Sequence, residues 1–158
     1  MTKELLILCL MFSVSAFIPV YASDNRQVEC LIKNIYFEAR GEPEKGQLAV
    51  AYVTLNRMFD EQYPNSICEV VKQAIITSSG LPKRHKCQFS WYCDGKSDTM
   101  FDEEAIKKAE ETAIKALITY STDDFTNGAT HYHNNTVSPH WSKHLTKTLK
   151  LGSHVFYK

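Results

Sequence analysis

The chain has 158 residues, a one-domain length that can bury a real core. Apolar residues are 44% and charged residues 23%, which places it with ordinary globular proteins rather than disordered or membrane chains. Eighteen basic and eighteen acidic side chains cancel, so the basic footprint that drives phosphate binding is missing and nucleic acid is not an expected partner.

The N-terminus reads as an export signal. Lys3 gives a short positive region, Leu5 to Val20 is almost wholly apolar, and Val20 and Ala22 stand where small residues precede a cleavage site. Residues 1–22 are expected to be a signal peptide, leaving 23–158 as the mature domain. A retained membrane anchor is the alternative, because the apolar run is nearly long enough to span. Cys9 follows leucine rather than a small residue, which argues against lipidation.

Val28, Leu31, Ile32, Ile35 and Ala39 keep helical spacing and predict a helix over Arg26–Ala39, capped by Asp24 or Asn25 and ended by Gly41. Pro43 suits the start of a second helix reaching Phe59. Leu48, Tyr52, Leu55 and Phe59, flanked by Ala49, Ala51 and Val53, make this helix apolar around much of its girth and therefore central. Asn56 and Arg57 near its end would need polar partners if buried. Ser66-Ile-Cys-Glu69 is a capping box that opens a short helix to about Ile75. Thr77–Lys86 reads as a loop whose Lys83, Arg84, His85 and Lys86 are solvated. Gln88–Tyr92 reads as a strand or extended wall. A long amphipathic helix follows over Asp102–Tyr120, burying Ala105, Ile106, Ala109, Ala113, Ile114 and Leu117, with acidic residues in its first turn. From Gly128 the chain reads as short strands and turns. The expected fold class is α+β: a helix-rich single domain of four helices with a small sheet.

After signal cleavage four cysteines remain, Cys30, Cys68, Cys87 and Cys93, an even number that implies two disulfides in an exported chain. If Gln88–Tyr92 is extended, Cys87 and Cys93 stand about 20 Å apart at roughly 3.3 Å per residue. A disulfide needs Cα atoms within about 7 Å, so each is expected to pair with Cys30 or Cys68.

Glu38 lies near the end of the first helix beside Tyr36 and Phe37. Desolvation there would raise its carboxyl and let it donate a proton, as cleavage of a glycosidic bond requires. Spacing alone favours the plainer reading, a solvated glutamate or a partner of Arg40 or Lys33. Glu42 and Glu44 are nearby carboxylates, but Gly41 makes the placement of Glu42 relative to Glu38 unreadable. Phe89 is read as core. Trp91 and Trp141, each beside a serine, serve equally as core or as sugar-stacking faces. His131-x-His133 with His140 could ligate Zn, although such histidines more often line a groove. No G-x-S-x-G or papain-type cysteine motif supports a serine or cysteine nucleophile.

Several ordered blocks carry a resemblance. Ile35-Tyr-Phe-Glu38-Ala-Arg-Gly-Glu42, Gly46-Gln-Leu-Ala-Val-Ala51, Val53-Thr-Leu-Asn-Arg57, Tyr63-Pro-Asn-Ser-Ile-Cys-Glu-Val-Val71, Gln88-Phe-Ser-Trp91, Gly128-Ala-Thr-His-Tyr-His133, Pro139-His-Trp141 and Gly152-Ser-His-Val-Phe-Tyr157 together resemble the SleB-type cell wall hydrolases, which include catalytic domains of spore cortex-lytic enzymes. The resemblance implies a lysozyme-like, resuscitation-promoting-factor-like fold and cleavage of peptidoglycan glycan strands. It also implies that Glu38 is the catalytic acid of a lytic transglycosylase, cutting between N-acetylmuramic acid and N-acetylglucosamine without metal or cofactor. Arg40, Glu42, Ser90, Trp91, Tyr132, His133 and Trp141 are the expected substrate-binding residues. The chain is expected to act outside the cytoplasm, in the periplasm, the cell wall or the medium, as a monomer not held in a membrane after signal cleavage. The alternatives are a Zn-dependent amidase or peptidase using His131, His133 and His140, and a non-catalytic wall-binding module.

Overall fold

A computed structural model describes residues 18–158, with side chains described from Asp24. Most of the expected signal peptide lies outside the described residues. No helix among the described residues is long and apolar enough to cross a membrane. The elements in order are α1 (Ile18–Ala39), α2 (Glu44–Phe59), α3 (Ile67–Val71), β1 (Ala74–Ile76), β2 (Pro82–Cys87), a 3₁₀ turn (Ser90–Cys93), α4 (Glu103–Asp123), β3 (His131–Asn134), a second 3₁₀ turn (His140–Lys143), β4 (Lys147–Leu151) and β5 (His154–Tyr157).

Helix α2 is the centre of the fold. Every residue from Gly46 to Arg57 is buried, as its apolar girth predicts. Around it pack α1, α3 and α4, joined through Leu31, Ile35, Leu48, Leu55, Val70 and Val71, all nearly inaccessible to solvent. Each such side chain stabilises the fold by about 1.5–3 kcal/mol on burial. The other flank of α2 presents Ala49 and Val53 to Ala129 and Phe156, and this second cluster seats the three-stranded sheet. That sheet is antiparallel in the order β3-β5-β4, with Tyr132 opposite Phe156 and His133 opposite Val155. Its pleat sends Tyr132 inward and His131 and His133 to the other face.

Several boundaries depart from expectation. Helix α1 runs through Asp24 and Asn25, so neither caps it. Gly41 does not adopt a left-handed cap conformation, and the chain turns instead through a bond from Glu42 N to Ala39 O at 2.9 Å. Helix α3 starts as predicted, with Ser66 Oγ accepting from Glu69 N, but stops at Val71. Residues read as its last turn and the following loop form the β1–β2 hairpin. Helix α4 is capped by Asp102, whose side chain accepts from Ala105 N. Its buried stripe is Ala109, Thr112, Ala113 and Ala116, while Ile114 and Leu117 are 56% and 41% exposed. Small side chains let α4 lie close against α1 and α2; Ala105 and Ile106 pack on the core's margin, while Ile114, Leu117 and Ile118 are turned outward.

The disulfides are Cys30–Cys68 and Cys87–Cys93. The expected exclusion of a Cys87–Cys93 bond fails because the intervening chain is not extended. Ser90–Cys93 coils into a 3₁₀ turn and brings the two Cα atoms to 6.1 Å. The first bond ties α1 to α3, and the second closes the base of the hairpin onto the turn that carries Trp91.

Candidate active site

Three elements converge on Glu38. Helix α1 delivers it one residue before its end, α2 delivers Arg57 near its own end, and β3 delivers Tyr132. The Tyr132 hydroxyl donates to Glu38 Oε2 at 2.9 Å. Glu38 Oε1 makes no hydrogen bond among the described residues. Burial pushes the Glu38 carboxyl up from its ordinary range, and the Tyr132 hydrogen bond and the Arg57 charge partly oppose that rise. The result is a carboxyl that holds its proton more tightly than a surface glutamate, with one oxygen anchored. Burial and the adjoining Glu38 also raise the Tyr132 hydroxyl well above the usual phenol range, so Tyr132 acts here as a donor.

A cleft of about 440 Å³ opens in front of Glu38. Arg40, Ser90 and Trp91 line it, as do two carboxylates that sequence reasoning did not single out, Asp94 and Asp98. Burial raises the Asp98 carboxyl; Lys33 opposes the rise and Asp94 adds to it. A larger hollow of about 820 Å³, lined in part by Tyr63 and Pro64, contains none of Glu38, Trp91 or Tyr132, so chemistry rather than size locates the site.

Trp91 is largely buried. One face stacks on Phe37 at 4.8 Å between centroids, and its Nε1 donates to Asn34 Oδ1 at 3.0 Å. Asn34 in turn donates to Thr54 Oγ1 at 3.0 Å, which donates to Val50 O. This fully satisfied chain through the core fixes the cleft wall to α1 and α2. Only an edge of Trp91 is left for a ligand.

The remaining residues named from sequence divide between two places. Glu42 is turned away from the cleft, and its carboxylate accepts from the Ser153 backbone N–H at 3.1 Å and from the Ser153 hydroxyl. His133 and Trp141 lie on the opposite face of β3 from Tyr132, in an aromatic cluster with His131 and Tyr157. Both His133 nitrogens are engaged: Nδ1 donates to Asn134 O at 2.8 Å, and Nε2 accepts from the Tyr157 hydroxyl at 3.0 Å. His140 packs against His144 instead of joining His131 and His133. No group of three or more His, Cys, Asp or Glu side chains placed to hold a metal occurs among the described residues.

Sequence reasoning flagged Arg57 only as a polar residue that would need a partner. The structure buries it, with Nε donating to Thr130 O at 2.7 Å and the guanidinium between the rings of Tyr63 and Phe89.

This mainly helical domain with a small sheet has clear counterparts among solved structures. The catalytic domain of the Bacillus cereus SleB protein superposes with a TM-score of 0.62 at 27% identity, over 85% of this chain and 91% of that one. The catalytic domain of the germination-specific lytic transglycosylase SleB from Bacillus anthracis gives 0.62 at 28% identity, over 84% and 93%. The cell wall hydrolase family model matches residues 41–157, and the chain belongs to that family. Similar full-length proteins include spore cortex-lytic enzymes of Bacillus cereus, 30% identical over 89% of this chain and 47% of that protein, and of Halalkalibacterium halodurans, 28% identical over 88% and 36%. The chain therefore spans less than half the length of these curated relatives.

Proposed function

We propose that this chain is an exported peptidoglycan-cleaving glycosidase, a lytic transglycosylase with Glu38 as its single general acid and base. Residues 1–22 serve as the signal peptide and 23–158 as the catalytic domain, acting on the wall outside the cytoplasm. The observation that carries the reading is the half-buried Glu38 carboxyl at the cleft, raised by desolvation and held through one oxygen by Tyr132. Family membership and the likeness to a lytic transglycosylase domain support the substrate class.

The chemistry follows from one carboxyl. Protonated Glu38 gives its proton to the glycosidic oxygen joining N-acetylmuramic acid to N-acetylglucosamine. The C1–O bond breaks, its electron pair stays with the leaving sugar, and positive charge develops at C1 of the muramoyl ring. The Glu38 carboxylate then accepts the proton of the muramoyl 6-hydroxyl as that oxygen bonds to C1 and closes an anhydro ring. Glu38 ends protonated, ready for the next turnover. Tyr132 keeps Oε2 fixed throughout and leaves Oε1 for the proton. Arg40, Ser90 and the edge of Trp91 contact the glycan in the cleft, while Glu42, His133 and Trp141 support the sheet behind Tyr132.

The test is Glu38→Gln, which keeps the shape and removes the proton. General acid catalysis contributes about 10²–10⁴-fold, so E38Q should clear a peptidoglycan suspension more slowly by that factor. Mass spectrometry of wild-type products should find anhydromuramoyl ends. Wild-type activity in E38Q would overturn the assignment. Reducing ends would make the enzyme a hydrolase, and released peptides would make it an amidase.

A further inference from the structure

Arginine is seldom buried unless paired. Arg57 is 5% exposed, yet none of the ion pairs among the described residues includes it. Its Nε is used by Thr130 O, its faces are covered by Tyr63 and Phe89, and its Nη1 is buried with no hydrogen-bond partner. A fold that only needed to fill this space would use an apolar side chain at less cost. The carboxylate on which the Arg57 charge acts is Glu38.

We propose that Arg57 is a positioning residue of the reaction: it fixes the start of β3, and with it Tyr132, against Glu38, and its charge offsets the one that Glu38 acquires when its proton leaves. The inference rests on the proposed role of Glu38. Thr130, which Arg57 holds, is two residues from Tyr132 on the same chain segment. A direct Arg57–Glu38 ion pair would keep the carboxyl ionised and spoil it as a donor. A cation held back by a carbonyl and two rings lowers the cost of ionisation without imposing it. Because the guanidinium is already buried and fixed, it needs no reorganisation when charge appears on Glu38. The other groups are compatible with this arrangement. Tyr132 faces Glu38 from β3, the ring of Tyr63 covers Arg57, and Arg40 is turned onto the ring of Tyr36 at 4.9 Å. His131 is lowered by burial and by Arg57, so it adds no competing positive charge near neutral pH.

The experiment is the pH profile of peptidoglycan clearing for the purified full chain and for Arg57→Met, Arg57→Gln and Arg57→Lys, with thermal melts alongside. Activity falls on the alkaline side as Glu38 loses its proton. Removing the cation makes Glu38 a weaker acid, so in R57M and R57Q the alkaline limb should move up by about one pH unit. The plateau kcat should fall roughly tenfold, with KM little changed. R57K keeps the charge, so its limb should stay at the wild-type position while kcat falls through loss of the Thr130 contact. Folded neutral variants with a wild-type limb would overturn the proposal. So would an R57K limb displaced like theirs, or neutral variants that cannot fold at all, which would assign Arg57 to folding. The E38Q result separates this from the parent reading: an active E38Q defeats the glycosidase assignment, whereas an inactive E38Q with an unmoved R57M limb defeats only the role of Arg57.

Discussion

Tyr132→Phe removes one oxygen and little else. The ring keeps its packing against His154 and Phe156, at 5.1 and 5.6 Å between centroids, so no cavity forms. What is lost is the 2.9 Å hydrogen bond to Glu38 Oε2. A hydrogen bond to a charged acceptor is worth about 1.5–3 kcal/mol, and one to a neutral acceptor about 1 kcal/mol. The carboxylate therefore loses about 1 kcal/mol more than the protonated acid, a factor of roughly five in acid strength. The alkaline limb of the clearing profile should rise by somewhat under one pH unit. Plateau kcat should fall several-fold further because Oε2 is no longer fixed. A turbidity assay across pH, with a melt at each end of the range, reads both effects. A folded Y132F with the wild-type limb and plateau would refute the claim that Tyr132 sets the proton affinity of Glu38.

The raised Glu38 carboxyl has a consequence for stability. The folded state binds that proton more tightly than the unfolded chain, so the stabilisation is fully present below the ordinary carboxyl range and is lost as pH rises through the folded value. E38Q should therefore melt above wild type near pH 8, with the gap closing toward pH 4; an equal gap at both would contradict the desolvation argument. Trp91→Phe keeps the stack on Phe37 but leaves Asn34 Oδ1 unpaired in the core, at about 1–3 kcal/mol. Thermal denaturation should show a Tm lower by roughly 2–10 °C, and an unchanged Tm would mean that the Asn34 network is not rigid. In the chain-entropy account, losing the Cys30–Cys68 bond, with a separation of 38 residues, should cost about 4 kcal/mol. Losing Cys87–Cys93, with a separation of 6, should cost about 2 kcal/mol. Urea titrations of the paired Cys→Ser variants check that order, and its reversal would point to native-state effects at the Trp91 turn.

What the sequence made legible was mostly local. The cap at Ser66 acts within three residues, the acidic start of α4 lies within its own first turn, and the buried girth of α2 follows from its own composition. Glu38 was ambiguous from spacing, because desolvation depends on groups far along the chain: Tyr132 is 94 positions away. The ordered blocks tipped the reading toward an acid. Arg57 stayed hidden for the same reason, since its acceptor, Thr130, is 73 positions on. The hairpin and the Ser90–Cys93 turn misled because tertiary pairing and a disulfide shape them, not periodicity. On α4 hydrophobicity pointed to Ile114 and Leu117, but close helix packing selected the alanines.

Glu42 shows why two neighbouring glutamates have different roles. It stands four positions after Glu38, and a retaining or inverting mechanism would seek a second carboxylate there. Its oxygens are instead spent on Ser153, and Gly152 has φ +57, where a Cβ would overlap Glu42 Oε2. That glycine supplies both the left-handed turn between β4 and β5 and the room for the carboxylate. Beside the turn, His154 lies 3.9 Å from Glu42 and packs edge-on against Tyr132, which holds Glu38. Burial lowers His154, so near neutral pH it meets Glu42 as a neutral ring, not as an ion-pair partner. Contact thus runs from Glu42 through His154 and Tyr132 to Glu38, and it is mechanical. Gly152→Ala should loosen it, costing about 1–2 kcal/mol of stability and lowering kcat, with the alkaline limb rising no further than in Y132F, because the Tyr132 hydrogen bond is the one contact to Glu38 that is weakened. A limb displaced further in folded G152A than in Y132F would mean that Glu42 acts on Glu38 electrostatically after all.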